Sequence, residues 1–357
     1  MSRVITVGAA QLGAIQLVTP REVVLTRMLA LLDAAAASGV RMLLFPELAL
    51  TTFFPRHNLA GEDTVDAFFE AESDAEPDAL RRSNPHTKPL FDRAHSLGID
   101  IALGYAEKWT AADGNVMHYN TLCYYSAQTD AVIAKYRKVH LPGTAVPTGG
   151  AQEQLEKMYF APGDLGFPAF RAPGLVDNAL KADKVQIENA EKIEGLGDPI
   201  LGMLICNDRR WPEAWRSYGL QGAELVLEGY NTCAYYANRP TSVTEQEALA
   251  VFHHRLSCQA GSYHNACFSI HAAKAGNEDG GLLIASSLIV APGGQILAES
   301  KTSDDELITA TIDLAECRAQ KEGVFAFAKH RRTEHYGRLI EQTGVVEPPL
   351  LSWPFGA

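Results

Sequence analysis

The chain has 357 residues, of which 46% are hydrophobic and 21% charged, and a formal net charge of −12. This is the composition of a globular protein with enough apolar residues for a sizeable core, and its acidic balance excludes the concentrated basic face that nucleic-acid binding needs. No basic segment leading into an apolar one is found near Met1, and no apolar run approaches the roughly 20 residues of a membrane span; a cytoplasmic location and no membrane partner are therefore expected.

In chain order, "ITVGAAQLG" (Ile5 to Gly13) reads as a strand whose small residues allow close approach of another element. A helix follows, with Thr19 expected to cap, Pro20 at the first helical position and Glu22 completing a capping box. Val24, Leu25, Met28, Leu29 and Leu32 then recur at helical spacing up to a stop at Gly39. "RMLLFPEL" is too short and apolar for a core helix and reads as a buried strand. The acidic stretch from Gly61 to Asp78 is expected to cover a surface. A helix around Pro89 to Gly98, a strand from Ile99 to Glu107 and two strand-like runs, "HYNTLCYYS" and "AVIAKYRKVHL", come next.

A polar excursion, residues 174–199, precedes strand "PILGMLICN", helix "PEAWRSYGLQG" and strand "AELVLEGYN". A long helix from about Thr244 to Tyr263 carries Leu249, Phe252, Leu256, Ala260 and Tyr263 in one stripe. Two further strands, "ACFSIHAAKA" and "SSLIVAPGGQILAES", complete the body, the second folded at Pro292-Gly293-Gly294. Strands alternating with helices predict a layered α/β protein with a mainly parallel or mixed sheet and an antiparallel portion. No linker composition divides it, so 1–357 is expected to be one domain with an insertion at 174–199. The apolar, proline-rich tail, at about 341–357, is expected to dock on its own body or a neighbouring subunit.

Six cysteines are thinly spread, without CxxC spacing, and the eleven histidines form no HExxH or zinc-finger set. GxGxxG, GxxxxGK[ST] and GxSxG are absent as well. No metal and no cofactor are expected, and any chemistry must come from side chains. Three strand ends carry candidates. In "MLICNDRRWPEAWR", Cys206 closes an apolar run and precedes a helix opened by Pro212; alone it fits either a buried hydrophobe or a nucleophile whose thiolate Arg209 and Arg210 would favour. Glu47 in "FPELALTTFFP" is a carboxylate whose pKa burial would raise toward that of a general base, and Lys138 in "KYRKVHLPG" is an ammonium that could hold an oxyanion.

These three segments resemble, in order and spacing, the catalytic segments of the nitrilase superfamily, which splits carbon–nitrogen bonds with a Glu-Lys-Cys triad. Further segments, "ELALTTFFPR", "LEK-YF-PGDLGFP", "CNDRRWPEAWR", "GYNT", "FHH-LS-QAGSY-N" and the late "IVAP-G" and "HYG", are similar to its N-carbamoyl-D-amino acid amidohydrolase branch and cover Ile5 to about Ile340. The resemblance implies a four-layer α-β-β-α sandwich. It implies that Glu47 is the base, Lys138 the oxyanion-stabilising cation, Cys206 the nucleophile and Glu156 a second glutamate beside the lysine. Asn207, Arg209, Arg210 and Thr232 would hold the substrate, chiefly its carboxylate, with His140 and His253 or His254 around the pocket orienting Lys138 or Glu47. Two adjacent arginines cannot both point one way from a strand, so one is expected to pair with Asp208 or Glu213 instead.

The implied partner is a small-molecule N-carbamoyl amino acid, hydrolysed to the amino acid, ammonia and carbon dioxide by a homo-oligomer, a dimer or tetramer. Gln154 departs from the branch, which has a histidine there, and Tyr235 and Tyr236 are expected at the pocket rim. Two alternatives stay open: another amidase or ureido hydrolase of the superfamily, or a non-catalytic binding protein on the same scaffold.

Overall fold

Met42, Leu43 and Leu44 are buried on both faces of a strand in the computed structural model, which describes residues 3–59, 65–149, 153–179, 197–237 and 239–350. A strand covered on both sides needs a continuous apolar run rather than an alternating one. This strand, β2 (Met42–Leu44), follows β1 (Val4–Gln11) and precedes β3 (Glu70–Ser73), β4 (Asp100–Thr110), β5 (Val116–Ser126) and β6 (Ala131–Arg137). β7 (Phe170–Arg171), β8 (Ile200–Ile205), β9 (Leu225–Tyr230) and β10 (Phe268–Ala273) come next, then β11 (Ala275–Glu278), β12 (Gly281–Ile284), β13 (Leu288–Val290), β14 (Ile296–Glu299) and β15 (Glu306–Asp313). Among the described residues, the four longest helices cover them: α1 (Arg21–Ala37), α2 (Lys88–Leu97), α3 (Pro212–Leu220) and α4 (Val243–Asn265).

Among the described residues, one sheet has the order β15-β1-β2-β4-β5-β6 with β3 added along β4, and a second has the order β14-β13-β10-β9-β8-β7. The two face each other. Ile5, Val7, Met42, Leu44 and Leu122 of the first pack with Leu201, Met203, Leu225, Leu227 and Ile270 of the second. Side chains of opposite parity point outward: Leu43, Ile101 and Leu103 meet α1 and α2 through Val24, Met28, Leu90 and Phe91. On the far side, Leu204 and Val226 meet Trp215 and Tyr218 of α3, and Cys258 of α4 packs on Leu288 and Val290. Each such side chain, fully buried, contributes roughly 1.5–3 kcal/mol. The result is the expected four-layer α-β-β-α sandwich.

Several expectations shift. Thr19 does not cap α1, which begins at Arg21; its Oγ1 accepts the Gln16 N–H at 3.0 Å, closing a local turn instead. The acidic stretch is not simply a surface cover. It contains β3, parallel to β4, with Glu70 and Glu72 buried; Glu72 accepts from Lys135 Nζ at 2.7 Å and from the Tyr105 hydroxyl at 2.6 Å, which makes a carboxylate tolerable there. β15, the antiparallel edge on β1, and the β11-β12 hairpin were not anticipated.

The stripe on α4 faces outward, with Phe252 56% and Leu256 51% exposed, while Gln246, His254, Cys258 and Ser262 are buried. Val345, Val346 and Leu350 of the tail are exposed rather than docked on the body. Residues 180–196 of the excursion and 351–357 of the tail lie outside the described residues. Among the described residues no helix is long and apolar enough to cross a membrane.

Candidate active site

Glu47 stands three residues beyond β2, Lys138 follows β6 and Cys206 follows β8, so the chain leaves the sheets at each of them. All three side chains are buried. Lys138 Nζ donates to Glu47 Oε1 at 2.8 Å and to Glu156 Oε2 at 2.6 Å. Asn120 Nδ2 donates to the same Glu47 Oε1 at 2.8 Å, and Asn231 binds the other oxygen through its backbone N–H at 2.9 Å and its Nδ2 at 3.2 Å. The Glu47 carboxylate is therefore held in one orientation. The thiol of Cys206 donates to the Asn231 carbonyl at 3.1 Å.

The backbone permits this convergence at two glycines. A Cβ on Gly104 of β4 would lie 2.3 Å from the Pro46 carbonyl oxygen, and one on Gly229 of β9 would lie 2.6 Å from the Glu47 nitrogen. Facing positions in both sheets must lack a side chain for the Pro46-Glu47 segment to pass between them. Cys206 itself has φ 51°, a left-handed conformation rare outside glycine, and opens a tight turn spanning Cys206–Arg210.

Electrostatics follow from burial. Burial pushes the Cys206 thiol up to about 11, and Glu47 adds to this while Lys138 and Arg209 oppose it. The resting thiol is thus protonated at neutral pH, and attack needs a base within the site. Burial also pushes the Glu156 carboxyl up to about 7 against the pull of Lys138. Burial alone would lower Lys138, but Glu156 and Glu47 outweigh it and keep the ammonium charged.

Cys206 opens on a cavity of about 390 Å³, with Asn207, Arg210, Thr232, Tyr236 and His253 among its walls. Arg210 Nη1 donates to Asn207 Oδ1 at 3.1 Å, and its pKa is lowered chiefly by the charge of the neighbouring Arg209. Arg209 is not on that wall. It is 2% exposed and points into the body, where Nη1 meets Glu228 Oε1 at 3.1 Å; its carboxylate partner is Glu228 rather than Asp208 or Glu213.

Asp208 instead accepts from the His140 N–H at 3.0 Å, the Tyr136 hydroxyl at 2.8 Å and the Ile205 N–H at 3.0 Å, and its Oδ1 lies 2.7 Å from His140 Nδ1. His140 thus braces the Cys206 turn rather than Lys138 or Glu47, and His254 lies 3.0 Å from the Tyr230 hydroxyl. Of the two rim tyrosines, Tyr236 lines the cavity, and so does Gln154. Sequence reasoning missed Asn120 and Asn231. A polar residue in the middle of an apolar strand run, as in "HYNTLCYY", was the available signal.

A family model described as carbon-nitrogen hydrolase matches residues 6–322. The chain is 27% identical over 309 residues to a nitrilase of Pyrococcus abyssi, spanning 86% of this chain and 90% of that one. It is 28% identical over 284 residues to an N-carbamoylputrescine amidase of Arabidopsis thaliana, spanning 75% and 79%. The crystal structure of a carbon-nitrogen hydrolase from Helicobacter pylori G27 shares the fold with a TM-score of 0.71 at 19% identity, covering 95% of this chain and 99% of that one.

Proposed function

Because the chain belongs to the carbon-nitrogen hydrolase family, we propose that it hydrolyses the ureido group of an N-carbamoyl amino acid, of D configuration, to the amino acid, ammonia and carbon dioxide. The observation that carries this reading is the buried Glu47–Lys138–Glu156 cluster beside Cys206, opening on a wall that presents Arg210 and Asn207. In this reading Glu47 takes the thiol proton as the thiolate bonds to the carbamoyl carbon. Lys138 and the Asn207 N–H hold the oxyanion. The C–N bond to the terminal nitrogen breaks, Glu47 returns its proton, and ammonia leaves a thiocarbamate on Cys206. Water, deprotonated by Glu47, displaces the thiolate, and the N-carboxy amino acid loses carbon dioxide.

The other end of the substrate is read from charge. Arg210 and Arg239 line the cavity with Glu153, while Arg56, also on its wall, is paired with Glu278 at 3.4 Å; the excess of arginine favours a carboxylate tail over the ammonium tail that the name of the Arabidopsis relative implies for its own substrate. The reading is tested by a panel of N-carbamoyl amino acids, both enantiomers, against simple amides and nitriles, followed by ammonia release. Preference for amides or nitriles, or for a cationic ureido compound, would refute it.

Self-association is proposed as well, to a dimer or tetramer. The outward stripe of α4, together with Leu220, Leu339 and Ile340, leaves an apolar face larger than isolated surface residues account for. Light scattering should give a mass at least twice that of one chain, falling toward one chain for Leu256→Glu.

A further inference from the structure

Behind the cavity wall, on the helix side of the second sheet, lies a buried polar assembly that the reaction above does not use. Arg209 is its centre. Nη1 donates to the carbonyl oxygen of Cys206 at 2.6 Å and to Glu228 Oε1 at 3.1 Å, and Nη2 donates to Thr232 Oγ1 at 2.9 Å. The guanidinium carbon lies 4.8 Å from the Tyr230 ring centroid, and the Arg209 carbonyl accepts the Trp215 indole N–H at 3.0 Å. Glu228 Oε2 lies 2.5 Å from His271 Nδ1, and His271 Nε2 lies 2.7 Å from Ser269 Oγ. Arg209, Glu228, His271 and Ser269 are all buried.

Glu228, Cys258 and His271 come close enough together to suggest a metal site. Their chemistry argues otherwise. Glu228 already faces a full positive charge on Arg209, and burial holds the Cys258 thiol well above its ordinary value, so the trio offers neither spare anion nor thiolate. Its evident work is to anchor Arg209.

What Arg209 reaches is the carbonyl of the peptide unit whose other end is the Asn207 N–H. We propose that Arg209 is a positioning residue for the oxyanion site, fixing and polarising the Cys206–Asn207 peptide so that the Asn207 N–H is aimed and strengthened as a donor. This rests on the reading of Cys206 as nucleophile given above. Two physical reasons carry it. A non-glycine residue in the left-handed region, as Cys206 is at φ 51°, is strained and persists only where its surroundings hold it, and a charge-assisted bond to the Cys206 carbonyl is such a hold. Withdrawing electron density at a peptide oxygen also makes the N–H of that peptide a better donor, an effect of about 10–30% per bond in a hydrogen-bonded chain. The adjacent arginines therefore divide the labour, Arg210 facing the cavity and Arg209 serving the backbone behind the nucleophile.

The test separates carbonyl chemistry from thiol chemistry. Methyl methanethiolsulfonate converts Cys206–SH to Cys206–S–SCH3 with release of methanesulfinic acid and forms no oxyanion; mass spectrometry of the Cys206 peptide gives its rate. For Arg209→Lys, kcat for the best ureido substrate should fall about 10- to 100-fold, with KM and the Cys206 modification rate each within about threefold of wild type. Glu228→Gln, which keeps Arg209 but loosens its anchor, should show the same pattern at about 3- to 10-fold and serves if Arg209→Lys does not fold. A rise in KM with kcat intact would make Arg209 a substrate ligand, and a parallel fall of kcat and modification rate would place its effect on the thiol; either overturns the proposal. Wild-type protein that keeps its turnover after complete Cys206 modification would instead overturn the nucleophile reading, before any arginine variant is measured.

Discussion

Asn231 binds Glu47 at three points: its backbone N–H and side-chain amide both reach Glu47 Oε2, and the same amide donates to the Glu47 carbonyl at 2.9 Å. Because the Asn231 carbonyl also accepts the Cys206 thiol, one residue after β9 sets the positions of a carboxylate from one sheet and a thiol from the other. The site is thus a junction between sheets, and substitutions there should separate chemistry from stability.

Cys206→Ala removes a buried thiol whose one hydrogen bond goes to a backbone carbonyl. It should melt within a few degrees of wild type and lose at least about 10³-fold in kcat, since Cys206 is the thiol set beside Glu47 and Lys138 and forms the covalent intermediate in this reading. Calorimetry and ammonia release check the two halves.

Glu156 has its carboxyl raised by burial to about 7. Below that pH it is protonated, the Lys138 charge it shared falls on Glu47 alone, and Glu47 becomes a weaker base, so wild-type kcat/KM should fall as pH drops through 7. Glu156→Gln should be slower throughout and lack that inflection, as a pH–rate profile from pH 5.5 to 8.5 would show.

Arg210→Met should raise KM for an N-carbamoyl amino acid about 10- to 100-fold while leaving kcat within about threefold, the signature of a lost charged hydrogen bond present in both ground and transition states. A substrate analogue amidated at its carboxylate should be insensitive to the substitution.

Gly229→Ala places a methyl 2.6 Å from the Glu47 nitrogen, where backbone must yield. Overpacking of this kind costs about 1–3 kcal/mol. Turnover should fall further than stability alone explains, because the segment displaced carries Glu47; denaturant melts read beside kcat decide this.

Asp100 accepts the Tyr124 hydroxyl at 2.5 Å and the Ala127 N–H at 2.8 Å, yet burial raises its carboxyl to about 6 from 3.8. The folded chain therefore holds this proton more tightly than the unfolded chain. The stabilisation it brings is complete below about pH 4 and lost as pH rises through 6, at most about 3 kcal/mol. Asp100→Asn should accordingly gain in melting temperature relative to wild type at pH 8, and that advantage should shrink to about half at pH 5 and vanish below about pH 4.

The elements bearing the site were legible in the chain because their signals are local. A run such as "MLIC" or "RMLLF" ends where apolar residues stop, and that end is where Cys206 or Glu47 leaves the sheet. β15 escaped because "ELITATID" alternates weakly and acquires its meaning only beside β1. The stripe on α4 misled differently: periodicity reports that a helix has an apolar face, and it is Tyr230 and the Ser286 carbonyl that hold His254 inward, and His271 that holds Cys258, which turns Leu256 out.

By itself, then, the order of residues determined which side chains stand at strand ends, since hydrophobic period and chain breaks act over a few neighbours. Only the packing of two sheets decided that Asn120 and Asn231 clamp Glu47, that Gly104 and Gly229 make room for it, and that of two adjacent arginines Arg209 turns to Glu228 while Arg210 meets the cavity. A buried charge goes where its counter-charge lies, and Glu228, 19 residues further along the chain from Arg209, becomes its neighbour only after folding.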